Sequence, residues 1–237
     1  MPDSQVERTL SVIIPAFNER ATISQIVERV LASPLVRQVV VVDDGSTDGT
    51  TDILRQQIQS RWDSVVVCYH DRNRGKGAAV RTALPHCEGD CILIQDADLE
   101  YDPADYPKLM EPLLDGRADV VYGSRFLGGG PHRVHLFWHR VGNAILTTLS
   151  NMLTNLNLTD MEVCYKVFRA DILRAIKLRC DRFDFEPEVT ARIAQMKCRI
   201  YEVPVSYSGR DYSEGKKIRW TDGLIALWTI LKCRFVP

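Results

Sequence analysis

Residues 91–100 read CILIQDADLE, and the carboxylates of Asp96 and Asp98 are the pair in this 237-residue chain that points most directly to chemistry. The apolar run before them reads as a buried strand, where side chains i and i+2 leave the same face. Two carboxylates held side by side repel each other unless a cation sits between them. A hard divalent ion, Mg²⁺ or Mn²⁺, is the economical answer, because such ions take one or two carboxylates together with substrate phosphates. The segment Asp96, Ala97, Asp98 is therefore read as a metal clamp on a nucleotide diphosphate. The competing reading is an aspartate-rich surface turn.

Other residues could complete such a site. The turn at 42–49, VDDGSTDG, follows an apolar run and offers Asp44 as an acceptor for ribose hydroxyls or a base N–H. The same residues also suit an ordinary turn with a helix cap. Residues 15–19, PAFNE, place Phe17 to lie against a base and Glu19 to accept from it. Residues 70–77, HDRNRGKG, lack the spacing of a P-loop, which excludes that reading. Lys76 and the amides of the helix after it could still attract an anion. Arg125 follows an apolar run that ends in Gly123 and Ser124, with Arg133 and Arg140 beyond it and a basic loop carrying Arg210 and Lys216 later on. Guanidinium groups grip phosphates through two parallel hydrogen bonds, whereas lysine acts as a point charge. Singly, each is a surface charge; together they would surround a diphosphate.

The elements that must position these residues are legible from periodicity. Strands are expected at 10–14, 38–43, 65–70, 91–95, 119–122 and 199–206. Helices are expected at 21–31, 50–59, 77–84, 105–114, 134–154, 186–196 and 218–235. Apolar strands alternating with helices predict an α/β fold, with a mostly parallel sheet flanked by helices in the Rossmann manner. Ligands of such sheets sit beyond the carboxyl ends of the strands. That places residues 15–19, 43–48, 70–76 and 96–100 on one rim. A single domain over 1–237 is expected, with a nucleotide-binding half at 9–126 and an acceptor-binding half at 127–222.

Composition excludes several classes. A net charge of −1 gives no reason to expect nucleic acid as a partner. Seven scattered cysteines without a Cys-x-x-Cys pair read as reduced thiols rather than a disulfide framework or a zinc site. Residues 1–8 have no apolar core, so no signal peptide is expected, and no apolar run reaches the length of a membrane span.

Taken together, the motifs resemble those of family-2 glycosyltransferases of the GT-A fold, in particular the dolichyl- or polyprenyl-phosphate mannose and glucose synthases. The resemblance spans about residues 9–222 and is carried by SVIIPAFNE (11–19), VVDDGSTDGT (41–50), NRGKG (73–77), DAD (96–98), GSR (123–125), Arg210 and Lys216. It implies that Pro15, Phe17, Glu19, Val42 and Asp44 hold the nucleoside and that Asp96, Ala97 and Asp98 hold metal and diphosphate. It also implies that Arg125 lies near the transferred sugar and acceptor phosphate, and that Arg210 and Lys216 close over the diphosphate. Three departures from the family's pattern stand out: Phe17 replaces a frequent tyrosine, Glu100 a frequent glutamine, and Ser213 and Gly215 interrupt the loop before Lys216.

The expected activity is inverting transfer of mannose or glucose from a donor of the GDP-mannose or UDP-glucose type to a polyprenyl or dolichyl phosphate. Arg125, with Arg140 beside it, would hold the acceptor phosphate. Asp160 is read either as orienting the sugar or Arg125, as a general base should the acceptor be a saccharide hydroxyl, or as a helix cap. Residues 183–188, FDFEPE, would line the acceptor side or pack in the core. Residues 218–235 read as an interfacial helix or a helix packed on the core. The expected setting is cytoplasmic, peripheral on the cytoplasmic face of a membrane. The alternatives are transfer to a saccharide hydroxyl and a catalytically silent sugar-nucleotide-binding domain. A nucleotidyltransferase would need a glycine-rich basic loop where residues 15–19 stand.

Overall fold

Strand runs and amphipathic helices alternate as their periods dictate, in a computed structural model that describes residues 8–128, 133, 136–209 and 220–235. The chain opens with β1 (Leu10–Ala16), α1 (Ile23–Leu31), β2 (Val36–Asp43) and α2 (Thr50–Ile53), which runs on through a π-helical turn at Leu54–Ile58. β3 (Val65–Tyr69), α3 (Lys76–Ala83), β4 (Cys91–Ile94), α4 (Tyr106–Leu114) and β5 (Val120–Ser124) follow. The remainder holds α5 (Phe137–Thr154), β6 (Lys166–Arg169), α6 (Ala170–Ala175), α7 (Phe185–Gln195), β7 (Ile200–Pro204) and α8 (Trp220–Phe235).

The core explains these choices. Val39, Val40, Val41 and Val42 are all fully buried, so β2 is covered on both faces, as strands under helical layers are. α1 shows the other period, burying Ile23, Ile26, Val27 and Val30 on one stripe. Among the described residues the sheet has the order β3-β2-β1-β4-β6-β5-β7. β3, β2, β1 and β4 run parallel, as do β5 and β7. β6 is antiparallel to both of its neighbours. The chain builds outward from β1 to β3, then returns to lay β4 on the other side of β1. The crevice at such a reversal of strand order is where open α/β sheets bind ligands.

The sequence reading does not anticipate β6 or α6. β6 is four residues, KVFR, with a charge at each end, too short to show a period. Its direction matters for function. An antiparallel strand enters the sheet at the edge where its neighbours leave it, so the segment before Lys166 joins the rim formed by the ends of β4 and β5; the Gly123 amide donates to the Tyr165 carbonyl at 2.7 Å there.

One geometric expectation changes. β4 ends at Ile94, so Asp96 and Asp98 stand in the turn after the strand, and strand alternation is not what brings them together. Gln95, fully buried, anchors the turn's start. Its amide nitrogen donates to the Asp96 carbonyl at 2.9 Å, and its oxygen accepts from the hydroxyls of Tyr106 at 2.7 Å and Tyr165 at 2.6 Å. Leu99, at a φ of 63°, turns the chain back.

Candidate active site

The loops after β1 and β2 are stitched together at the crevice. The Asn18 amide donates to Ser46 Oγ at 2.9 Å, the Thr47 amide donates to Asn18 Oδ1 at 2.8 Å, and the Glu19 amide donates to Thr50 Oγ1 at 2.9 Å. Pro15 lies on β1, Phe17 stands partly exposed on this loop, and Glu19 is buried with Oε2 accepting from Thr22 Oγ1 at 2.9 Å. Asp44 serves the architecture directly. Its carboxylate accepts from His70 Nδ1 at 2.6 Å and from the amides of Arg74 at 2.8 Å and Gly75 at 2.7 Å, tying the β2 turn to the loop after β3. Val42 and Ala97 are buried, so neither presents an open side chain at the rim.

The amino end of α3 is not an open anion site. The Ala78 amide donates to the Asp181 carbonyl at 3.0 Å. Gly75 (φ +101°) and Gly77 lie so close to this segment that an added Cβ would meet the Asp181 and Cys180 carbonyl oxygens at 2.3 Å. Lys76 turns instead toward the carboxylates, 2.9 Å from Asp96 Oδ1 and 3.0 Å from Glu186 Oε1. Burial works against its charge, but Asp96, Cys164 and Glu186 outweigh it and hold the ammonium well above the ordinary lysine range. Burial likewise opposes ionisation of Asp96, and Lys76, by charge and by hydrogen bond, holds its carboxyl below the usual range. Lys166, fully buried, makes a second ion pair with Glu186 and lies 4.9 Å from the centre of the Tyr122 ring. Asp96, Lys76, Glu186 and Lys166 thus form an alternating chain of charges under the rim.

Asp98 caps its own turn, with Oδ1 accepting from the Glu100 amide at 3.1 Å. Among the described residues no three His, Cys, Asp or Glu side chains gather as a closed metal cage. An oxygen-only pair on an open turn, with Asp96 still 29% exposed, fits a hard cation that draws its other ligands from phosphate and water. Glu100 accepts from the Tyr207 hydroxyl at 2.7 Å, and its carbonyl takes the Ser208 amide at 2.8 Å. This joins the carboxylate turn to the chain that leads into residues 210–219. Arg210 and Lys216 lie outside the described residues.

Arg125, at the end of β5, is gripped by Asp160 in a two-toothed pair: Nε to Oδ2 and Nη2 to Oδ1, both 2.7 Å. The Arg125 amide also donates to Oδ2 at 3.1 Å, and Asn143 on α5 donates to Oδ1 at 3.2 Å. Asp160 is fully buried, whereas the Arg125 side chain keeps 16% of its surface. Burial disfavours the guanidinium charge, but Tyr101 and Asp160 reverse this and hold it firmly protonated. The Phe126 ring lies 5.5 Å from the Arg125 guanidinium and 5.2 Å from that of Arg140, so the two expected phosphate binders flank one aromatic face. Arg133 donates to the Gly209 carbonyl at 2.6 Å.

Sequence reasoning did not single out Glu162, nor Glu186 and Lys166 as ion partners. Glu162 Oε1 is buried with no hydrogen-bond partner among the described residues. Burial pushes its carboxyl up to about 7, Glu186 and Asp160 add to the rise, and Lys166 and Arg125 pull against it. The signal available in the sequence was an acid two residues from Asp160 on a segment already suspected; what was missing was β6, which carries that segment to the rim.

The family model of glycosyl transferase family 2 matches residues 11–177. The chain is 29% identical over 221 residues to the undecaprenyl-phosphate 4-deoxy-4-formamido-L-arabinose transferase of Edwardsiella ictaluri, covering 91% of this chain and 65% of that one. It is 28% identical over 211 residues to the dodecaprenyl-phosphate galacturonate synthase of Rhizobium johnstonii, covering 87% of this chain and 61% of that one. The chain therefore spans under two thirds of the length of these relatives. In fold it is similar to glucosyl-3-phosphoglycerate synthase of Mycobacterium tuberculosis, solved with Mn²⁺, UDP and glucosyl-3-phosphoglycerate; the TM-score is 0.74 at 20% identity, over 97% of this chain and 81% of that one. The GT-A arrangement expected from the motifs is the one observed.

Proposed function

This chain belongs to glycosyl transferase family 2, and from that premise we propose that it moves a hexose from a nucleotide-diphosphate sugar to a polyprenyl phosphate. The observation that carries the reading is Arg125, fixed by Asp160 on the same rim as Asp96 and Asp98. A firmly charged, preoriented guanidinium facing a carboxylate turn suits two anions that must be brought together, the donor diphosphate and an acceptor phosphate.

Asp96 and Asp98 are the residues that would hold Mg²⁺ or Mn²⁺, and a divalent cation bound there supplies Lewis-acid neutralisation of the leaving diphosphate. Lys76 holds Asp96 ionised, and Lys76 and Lys166 together hold Glu186 in place. On the nucleoside side, the loops at 15–19 and 43–48 form the wall, with Phe17 and Glu19 as its base-facing residues. Arg210 and Lys216 are proposed to add positive charge over the diphosphate. Arg125, with Arg140 across the Phe126 ring, positions the acceptor.

The acceptor class follows from how Asp160 is used. Both of its oxygens are committed to Arg125 and Asn143, so it is a positioning residue with no lone pair directed to a substrate hydroxyl. A saccharide hydroxyl would need a general base; a phosphate is an anion already. The relatives named for undecaprenyl- and dodecaprenyl-phosphate substrates support the same class. They leave the sugar open, and mannose or glucose remains our proposal from the motifs.

A lipid acceptor also gives a role to two helices. No helix among the described residues is long and apolar enough to cross a membrane. α5 nevertheless exposes Trp138, Ile145 and Met152 at seven-residue spacing, and α8, packed against it, exposes Leu224, Trp228 and Phe235 while burying Ala226, Ile230 and Cys233. Arg140, Lys232 and Arg234 border these apolar side chains. We place this face against an anionic lipid surface. The test of the acceptor assignment is kinetic: Arg125→Ala should raise the KM for a short polyprenyl phosphate far more than the KM for the donor, and equal effects on both would contradict it.

A further inference from the structure

We infer that Glu162 binds a hydroxyl of the transferred sugar and so helps to select it. The inference rests on the donor reading above and deepens it.

Glu162 lies two residues after Asp160 on the segment that leads into β6. Its Oε1 is buried and accepts no hydrogen bond from the described residues, although charged donors stand nearby. Lys166 spends its ammonium on Glu186 and the Val163 carbonyl. Arg125 directs Nε and Nη2 to Asp160 and Asn143, and neither bonds Glu162. An unsatisfied buried acceptor is costly, and native folds retain few of them. Those that persist call for a missing partner, and here the partner is an O–H donor from outside the chain.

Position says which one. The charges that act most strongly on Glu162 are those of Glu186 from α7, Lys166 from β6, Arg125 after β5, and Asp160 from its own segment. Glu186 leads through Lys76 to Asp96, the diphosphate end of the site. Arg125 is the acceptor end. Glu162 feels the charge of both Glu186 and Arg125, which puts it within reach of a group passing from one end to the other, and the residue as a whole is partly exposed although Oε1 is covered. A hexosyl group offers this region hydroxyls and no charge. A carboxylate accepts from one or two such hydroxyls, and a site built to hydrogen-bond a substrate hydroxyl discriminates strongly against sugars that place it elsewhere.

The experiment compares the wild type with Glu162→Gln and Glu162→Ala. Affinity for the nucleoside diphosphate with Mg²⁺ is measured by calorimetry, and kcat/KM by transfer from a panel of UDP- and GDP-hexoses to a short polyprenyl phosphate. The inference predicts nucleoside-diphosphate affinity within about 2-fold of wild type, kcat/KM for the preferred donor lower by about 10- to 100-fold, and a narrowed ratio between that donor and its epimers. Thermal melting of Glu162→Gln should match or exceed the wild type. Equal losses for diphosphate and sugar donor, unchanged epimer ratios, or a variant that fails to fold would each overturn it. Failure of the donor reading looks different: the wild type itself would then show no preference among the nucleotide sugars and no transfer.

Discussion

Individual side chains carry the most specific expectations. Asp160 holds Arg125 by two hydrogen bonds of 2.7 Å in a fully buried setting. Removing one partner of a buried pair leaves a charge uncompensated, at about 3 kcal/mol. Asp160→Asn should therefore lower stability in denaturant titration by about that amount and reduce transfer through misplacement of Arg125; full stability with lost activity would instead mark Asp160 as a base. Asp98→Asn should weaken nucleotide binding in the presence of Mg²⁺ by about 10-fold and change metal-free binding little. Unchanged metal-dependent binding would remove Asp98 from the clamp. Glu162 gives a pH signature. Its carboxyl titrates at about 7 in the fold, against an ordinary value of about 4.5. The folded state thus binds the proton more tightly, and the stability that this proton contributes is present below about pH 4.5 and lost as pH rises toward 7. The loss amounts to about 3 kcal/mol at 1.36 kcal/mol per unit. Glu162→Gln, an isostere of the protonated acid, should be more stable than wild type at pH 8 and equal to it near pH 4.5. A constant difference across that range would mean that Glu162 is not held as described.

At the scale of elements, the long periodic segments were legible and the short ones were not. β2 and α1 each bury a full stripe, so their patterns are unambiguous, and the rim formed by residues 15–19, 43–48 and 96–100 follows from parallel strands. β6 has four residues and no period, yet its antiparallel entry brings Asp160, Glu162 and Lys166 to the site. The turn that presents Asp96 and Asp98 was legible as motif and misread as strand geometry, because Gln95 and its two tyrosine partners end β4 early. Lys76 was read as a phosphate ligand on an open helix end; the segment at 180–181 closes that end, a contact about 100 residues distant in sequence that no local pattern encodes. Its tightness is testable. Gly75→Ala places a Cβ against the Asp181 carbonyl at a φ of +101°, a strain of about 1–3 kcal/mol, so melting should fall measurably. The exposed faces of α5 and α8 bear on both readings of residues 218–235, since α8 packs through Ala226, Thr229, Ile230 and Cys233 and shows Leu224, Trp228 and Phe235. Replacing Trp138 and Trp228 by serine should reduce cosedimentation with anionic vesicles while leaving transfer to a soluble short-chain acceptor intact; undiminished vesicle binding would exclude this face.

Across the whole molecule, one sheet organises both halves of the proposed reaction. The reversal between β1 and β4 opens the crevice proposed for the donor, and the antiparallel β6 folds the proposed acceptor side back onto it. Buried ion pairs run from Asp96 through Lys76 and Glu186 to Lys166, fixing the floor on which both anions would meet. The most direct test of this account offers the protein a panel of GDP- and UDP-hexoses with Mg²⁺ or Mn²⁺, alongside both a short polyprenyl phosphate and a set of saccharide acceptors. The account predicts a lipid-linked sugar formed from one preferred donor, in yield strongly reduced by Asp98→Asn and by Arg125→Ala. Transfer to a saccharide hydroxyl with no lipid-linked product would contradict it.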